Sequence, residues 1–199
     1  INPKKNDVKR RFKKWLASLI FINEKYLNMS TIICDFMGDS YTENIAERLC
    51  DLNKKKFSHI ISHRKPKKTS SLSNLNFMDA TLLYRHSSIS SAFQDTKSSS
   101  ISAEVASKFS ECLFLFLSSM DRTTPILQSV NATQTFFWDL LGYYFSFFKK
   151  NKEIDSIIFD SIPHLPWNIC LFYVAKYLGL RVLILRRTCI AGYMYIDED

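Results

Sequence analysis

Ile154-Asp-Ser-Ile-Ile-Phe-Asp160, then Ser161-Ile-Pro-His-Leu165, Pro166-Trp-Asn-Ile-Cys-Leu-Phe-Tyr-Val-Ala-Lys-Tyr-Leu-Gly179 and Arg181-Val-Leu-Ile-Leu-Arg186 stand almost end to end. The first and last pieces are apolar, β-branched and strand-length. Between them, Pro166 occupies the first helical turn, where its missing N–H costs nothing. Ile169, Phe172, Tyr173, Lys176 and Tyr177 continue the helix, and Gly179 suits a left-handed C-terminal cap. The pattern predicts a β-α-β unit, and hence a parallel sheet with covering helices.

A similar unit opens the chain's first third. Thr31–Met37 reads as a buried strand running into the turn Gly38-Asp39-Ser40. Thr42 can cap a helix over Glu43–Asn53, with Ile45, Ala46, Leu49 and Cys50 at helical spacing. Phe57–His63 is a second strand. Residues 64–102 hold Lys65-Pro66-Lys67-Lys68 and several serine-rich stretches, and read as a loop or insertion broken by the apolar piece Phe77–Tyr84. Structureless loops of that length are rare in compact domains, so short helix is expected there. Ser102 can cap a helix through Met120, and a second helix spans about Ala132–Lys150. Its Phe136, Phe137, Leu140, Leu141, Tyr144, Phe145 and Phe148 point to core packing rather than an aromatic cofactor box.

The 199 residues suit one domain, and 46% hydrophobic residues with 14% aromatics can fill a core. The net charge of +8 is localised: residues 1–28 carry +6 and residues 54–68 carry +7, leaving −5 on the rest. Basicity in two runs, with no aromatic-interleaved basic motif, argues against a nucleic-acid partner and for a solvated loop or a membrane or acidic surface. Five cysteines, widely spaced and without a C-x-x-C pair, behave as small core hydrophobes and imply neither a disulfide scaffold nor a zinc ribbon. No apolar stretch reaches the roughly 18 residues of a spanning helix. Residues 1–28 form a basic leader or a non-native extension, with Met29 as a natural beginning for the domain 29–199. A weak signal peptide and an amphipathic surface helix are the other readings of that leader.

In open parallel sheets, ligands gather at the carboxyl ends of strands. Those ends offer Asp35, Gly38, Asp39 and Ser40 after the first strand, and His63 and Arg64 after the second. Asp160, Ser161 and His164 follow the strand at 154–160, and Arg186, Arg187 and Thr188 follow the last. Pro163 and Pro166 rigidify the loop around His164. That imidazole is either a general base or a turn-stabilising residue. His59, His63 and His86 lack a metal-ligand pattern with nearby Cys or acids. No G-x-S-x-G elbow supports a hydrolase triad.

The stretch Ile157–Leu185 resembles one in bacterial surface and capsular polysaccharide biosynthesis proteins. There an apolar strand runs into a Pro-His turn, a helix bearing Tyr-x-x-Ala-Lys-x-Leu-Gly and a second apolar strand. Pro163, His164, Pro166, Tyr173, Ala175, Lys176, Leu178 and Gly179 fit the pattern. Leu165 and Asn168 depart from it, at positions where the family often has an acid and an Asp. The resemblance implies a Rossmann-like α/β fold, mainly parallel, with helices on both faces, forming the N-terminal half of a GT-B-type glycosyltransferase truncated at its C-terminus. From their places at the strand ends, His164 is the expected catalytic residue, and Asp35, Gly38, Asp39, Ser40, Asp160, Arg187 and Thr188 are the expected ligand-binding residues. A nucleotide-sugar, held mainly by a C-terminal half, and a saccharide acceptor are the implied partners. No cofactor is implied, and the expected place is the cytoplasm, with peripheral contact at the inner membrane face. The alternative is a non-catalytic Rossmann-like binding or interaction domain.

Overall fold

A computed structural model describes residues 30–35, 40–52, 57–94, 96–123, 129–187 and 194–198. The expected leader 1–28 lies outside the described residues. In chain order the elements are β1 (Ser30–Cys34), α1 (Ser40–Leu52), β2 (Phe57–Ser62), β3 (Asn76–Asp79), α2 (Ile89–Ala92), α3 (Ala103–Ser107), α4 (Ser110–Thr123), α5 (Val130–Lys150), β4 (Ile154–Phe159), α6 (Pro166–Tyr177), β5 (Arg181–Arg187) and β6 (Met194–Glu198). Short 3-10 helices at Ser71–Asn74, Ala80–Tyr84 and His86–Ser88 connect β2, β3 and α2.

The strands form one sheet in the order β3-β2-β1-β4-β5-β6, with β6 antiparallel and the other neighbours parallel. The fold is therefore α/β and Rossmann-like. From the central pair β1 and β4 the chain steps outward in opposite directions, through α1 to β2 and through α6 to β5. Right-handed crossovers taken in opposite directions land on opposite faces. Strand residues alternate between those faces at period two. Ile33, Ile158, Leu183 and Leu185 pack with Ile45, Ala46 and Leu49 of α1. Ile32, Ile157, Phe159, Val182 and Ile184 pack with the aromatic side chains of α4, α5 and α6. All six isoleucines and valines expected at the sheet's centre (Ile32, Ile33, Ile157, Ile158, Val182, Ile184) are buried.

Several boundaries differ from the sequence reading. β1 stops at Cys34 rather than Met37, because Asp35 turns into the left-handed region at φ 67°. α1 begins at Ser40, so Thr42 is a buried helical residue and not its cap. The helix expected through Met120 breaks after Ser107, although Ser102 does cap its start, with Oγ accepting from Val105 N–H at 3.3 Å. The break brings Phe109 against the rings of Phe145 and Tyr177. Within 64–102, four residues became a sheet strand: β3 pairs in parallel with β2 from His59↔Asn76 to Ser62↔Asp79. With only Phe77 and Met78 apolar in it, β3 carries too little periodicity to be read locally. Gly179 ends α6 at φ 71°, as expected of a C-terminal glycine.

Candidate functional site at the carboxyl edge of the sheet

The boundary between β1 and β4 is the topological switch point, where a doubly wound sheet opens a crevice at its carboxyl edge. The Asp35 N–H donates to Ile61 O across to β2 at 2.9 Å, and the Asp160 N–H donates to Cys34 O across from β4 at 3.2 Å. Both carboxylates are thereby anchored to strand ends. Asp160 is buried and accepts from Ser161 Oγ at 3.0 Å.

His63 follows β2 directly. Its Nδ1 lies 3.1 Å from Asp35 Oδ1, and its Nε2 lies 3.0 Å from the hydroxyl of Tyr84. Tyr84 ends the 3-10 helix Ala80–Tyr84, whose start is fixed by Asp79 Oδ1 accepting from Thr81 N–H at 2.8 Å. A carboxylate can only accept, so in the neutral imidazole Nδ1 carries the proton and Nε2 offers its lone pair. Burial pushes the Tyr84 hydroxyl up to about 12, with the Trp167 indole opposing and the Asp35 carboxylate adding. It therefore stays protonated at neutral pH and donates to His63 Nε2. The histidine side chain is 36% exposed and the carboxylate 16%, so solvent-borne ligands reach this chain of bonds from one side. Burial, then Asp35 and Asp160, raise the Cys34 thiol, which rules it out as a thiolate nucleophile.

His164 sits in the turn after β4. Its Nδ1–H donates to Ile162 O at 2.9 Å, and its own carbonyl accepts from Ser119 Oγ at 2.7 Å. Asn168 Oδ1 accepts from the Leu165 N–H at 2.8 Å, closing the first turn of α6 from its third position. An Asp at that position, as in the family the stretch resembles, would make the same bond.

Of the residues singled out in the sequence, the structure joins Asp35 to His63 and sets Asp160 at the neighbouring strand end. Ser40 opens α1 and Arg187 closes β5; Gly38, Asp39 and Thr188 lie outside the described residues. Arg186 stands within β5 rather than beyond it, paired at 2.6 Å with Asp197 of β6. The side chains of Tyr84 and Trp167 carried no sequence signal for this site: the first ends an apolar piece inside the segment read as loop, and at the second only the backbone N–H groups of a helix start point to a ligand. A polar groove of about 590 Å³ lies elsewhere, beside the amino end of β2, with Glu47, Asp51, Lys68 and Ser73 among its lining. Among the described residues, no three His, Cys, Asp or Glu side chains converge as metal ligands, and no helix is long and apolar enough to cross a membrane.

Comparison with protein-family models, curated proteins and solved structures finds no match to this chain.

Proposed function

We propose that this chain is the acceptor-side, base-supplying half of a glycosyltransferase-like protein of cell-surface polysaccharide synthesis. The observation that carries the reading is the Asp35–His63 pair, an imidazole oriented by a carboxylate with its free nitrogen turned to a hydroxyl. That arrangement suits abstraction of a proton from an alcohol. In the reaction, the proton of an acceptor hydroxyl passes to His63 Nε2. The acceptor oxygen bonds to the anomeric carbon, and the nucleoside diphosphate departs with the electron pair of the broken bond. The nucleotide-sugar is held by a second, donor-binding half. The strand order around the switch point and the Pro163-His164 turn beside it support the same reading. Arg64, Lys65, Lys67 and Lys68 belong to the second basic run, and all four are exposed. Such a run can rest against anionic lipid at the cytoplasmic face of the membrane.

In this scheme His63 takes the role of base, and His164 shapes the turn into α6. Transfer of label from a panel of UDP-sugars into polysaccharide, measured on the full-length protein, separates the two histidines. His63→Asn should lower transfer by about 10²–10⁴-fold with its melting temperature kept. His164→Gln should cost roughly 0.5–1.5 kcal/mol of stability and keep transfer per folded molecule. Loss of transfer in a stable His164→Gln protein returns the chemistry to that residue. A wild-type protein that binds sugar and transfers none is the binding module of the alternative reading.

A further inference from the structure

Trp167 is wholly buried at the second position of α6, yet its indole N–H has no hydrogen-bond partner. Native proteins leave few buried donors unpaired, because an unpaired donor has given up water for nothing. Its ring meets that of His63 edge-on with centroids 6.1 Å apart. It also lies close enough to the Tyr84 hydroxyl to favour the ionised phenol, though short of hydrogen-bonding geometry. The Nε2 lone pair and the unpartnered indole donor thus stand beside the same Tyr84 hydroxyl.

We propose that His63 Nε2 and the Trp167 indole N–H form a two-point subsite for a single carbohydrate hydroxyl, of which the Tyr84 hydroxyl occupies only the Nε2 point in the free protein. A hydroxyl can donate to Nε2 and accept from N–H at once. An ammonium only donates, and a carboxylate or a fully ionised phosphate oxygen only accepts. The Asp35 and Asp160 carboxylates at the same edge repel an anion further. Tyr84 is suited to yield the place. It ends a five-residue 3-10 helix, an element with poor hydrogen-bond geometry, and its side chain is half-buried rather than enclosed. The ligand's class rests on the acceptor reading above; the subsite itself rests on the geometry.

The test titrates the full chain and its Tyr84→Phe variant with methyl α-D-glucopyranoside, following indole ¹⁵N–¹H signals. The chain has three tryptophans, so Trp15→Phe and Trp138→Phe variants assign the Trp167 signal. The Trp167 signal should move in both proteins, and half-saturation should come at about tenfold lower glucoside in Tyr84→Phe, where no internal hydroxyl competes. Inorganic phosphate should leave it unmoved. Equal half-saturation in the two proteins overturns the role given to Tyr84. A Trp167 signal that ignores the glucoside in the wild-type chain, or answers phosphate instead, overturns the subsite, whether or not the variant folds. Glucoside binding without any sugar transfer defeats the transferase reading and leaves the subsite standing. Transfer that depends on His63, with Trp167 unmoved, does the reverse.

Discussion

Asp35 Oδ1 lies 3.1 Å from His63 Nδ1, although 28 positions separate the two residues. Parallel pairing of β1 with β2 makes the meeting possible, since both strands end at the same edge. Asp35 reaches it by adopting φ 67°, a left-handed conformation that costs an L-residue roughly 1–2 kcal/mol, least for Asp and Asn.

Asp35→Gly separates that strain from the chemistry. Glycine adopts the left-handed region freely, and the partly exposed pair it removes is worth about 0–1 kcal/mol. The melting temperature should hold or rise by up to about 2–4 °C, the shift expected for roughly 1 kcal/mol in a domain of this size. Transfer should fall as His63 loses its orientation. A drop of several degrees would show that the Asp35–His63 hydrogen bond outweighs the strain.

His59 gives the fold an acid-side weakness. It is buried at the amino end of the same strand as Ile60, bonded through Nδ1 to Ser58 Oγ at 2.8 Å and edge-on to Phe147. Burial lowers its pKa, with the Glu153 carboxylate opposing. Below its ordinary value of about 6.5, the unfolded chain therefore binds a proton that the folded chain resists. Stability is full above that pH and is lost as pH falls through it. Urea midpoints should decline between about pH 7 and pH 5, and His59→Asn should flatten the decline. An identical slope in the variant assigns the effect to other groups.

Gly142 is buried in α5 where residues 98 and 99 cross the helix. Its carbonyl accepts from Ser99 N–H at 3.2 Å and from Ser99 Oγ at 3.0 Å. An added Cβ would collide with Ser98 Oγ and with the Ser99 carbonyl, and the second cannot swing aside. Alanine is ordinarily the better helix former by about 1 kcal/mol. Here Gly142→Ala should nevertheless lower the melting temperature, and thermal scans showing a gain would mean that the crossing segment is easily displaced.

The two faces of β4 should respond unequally to truncation. Ile157 packs among the aromatics of α4, α5 and α6, while Ile158 faces the thinner layer that includes α1. Both replacements by Ala should fall within about 2–5 kcal/mol, with Ile157→Ala at the upper end and Ile158→Ala at the lower. Denaturant melts in which the order reverses would contradict the layering, and a cost near zero would remove β4 from the core.

Two β-α-β units, the helix start capped by Ser102, an aromatic helix over about Ala132–Lys150 and the candidacy of Asp35 and His63 as strand-end residues were legible in the residues alone. Those features follow from local chemistry: apolar periodicity, a proline in a first turn, a serine cap and a C-terminal glycine act over a few residues. The remainder arises from packing between distant parts of the chain. The strand order, the recruitment of Asn76–Asp79 as a parallel strand and the convergence of Asp35, His63, Tyr84 and Trp167 all depend on pairings across long loops. Tyr84 reads as the end of a short apolar piece in a polar loop, and Trp167 as a residue whose backbone opens a helix. Their polar atoms acquire meaning only when packing sets them within a few ångströms of one imidazole nitrogen, a distance no local periodicity encodes.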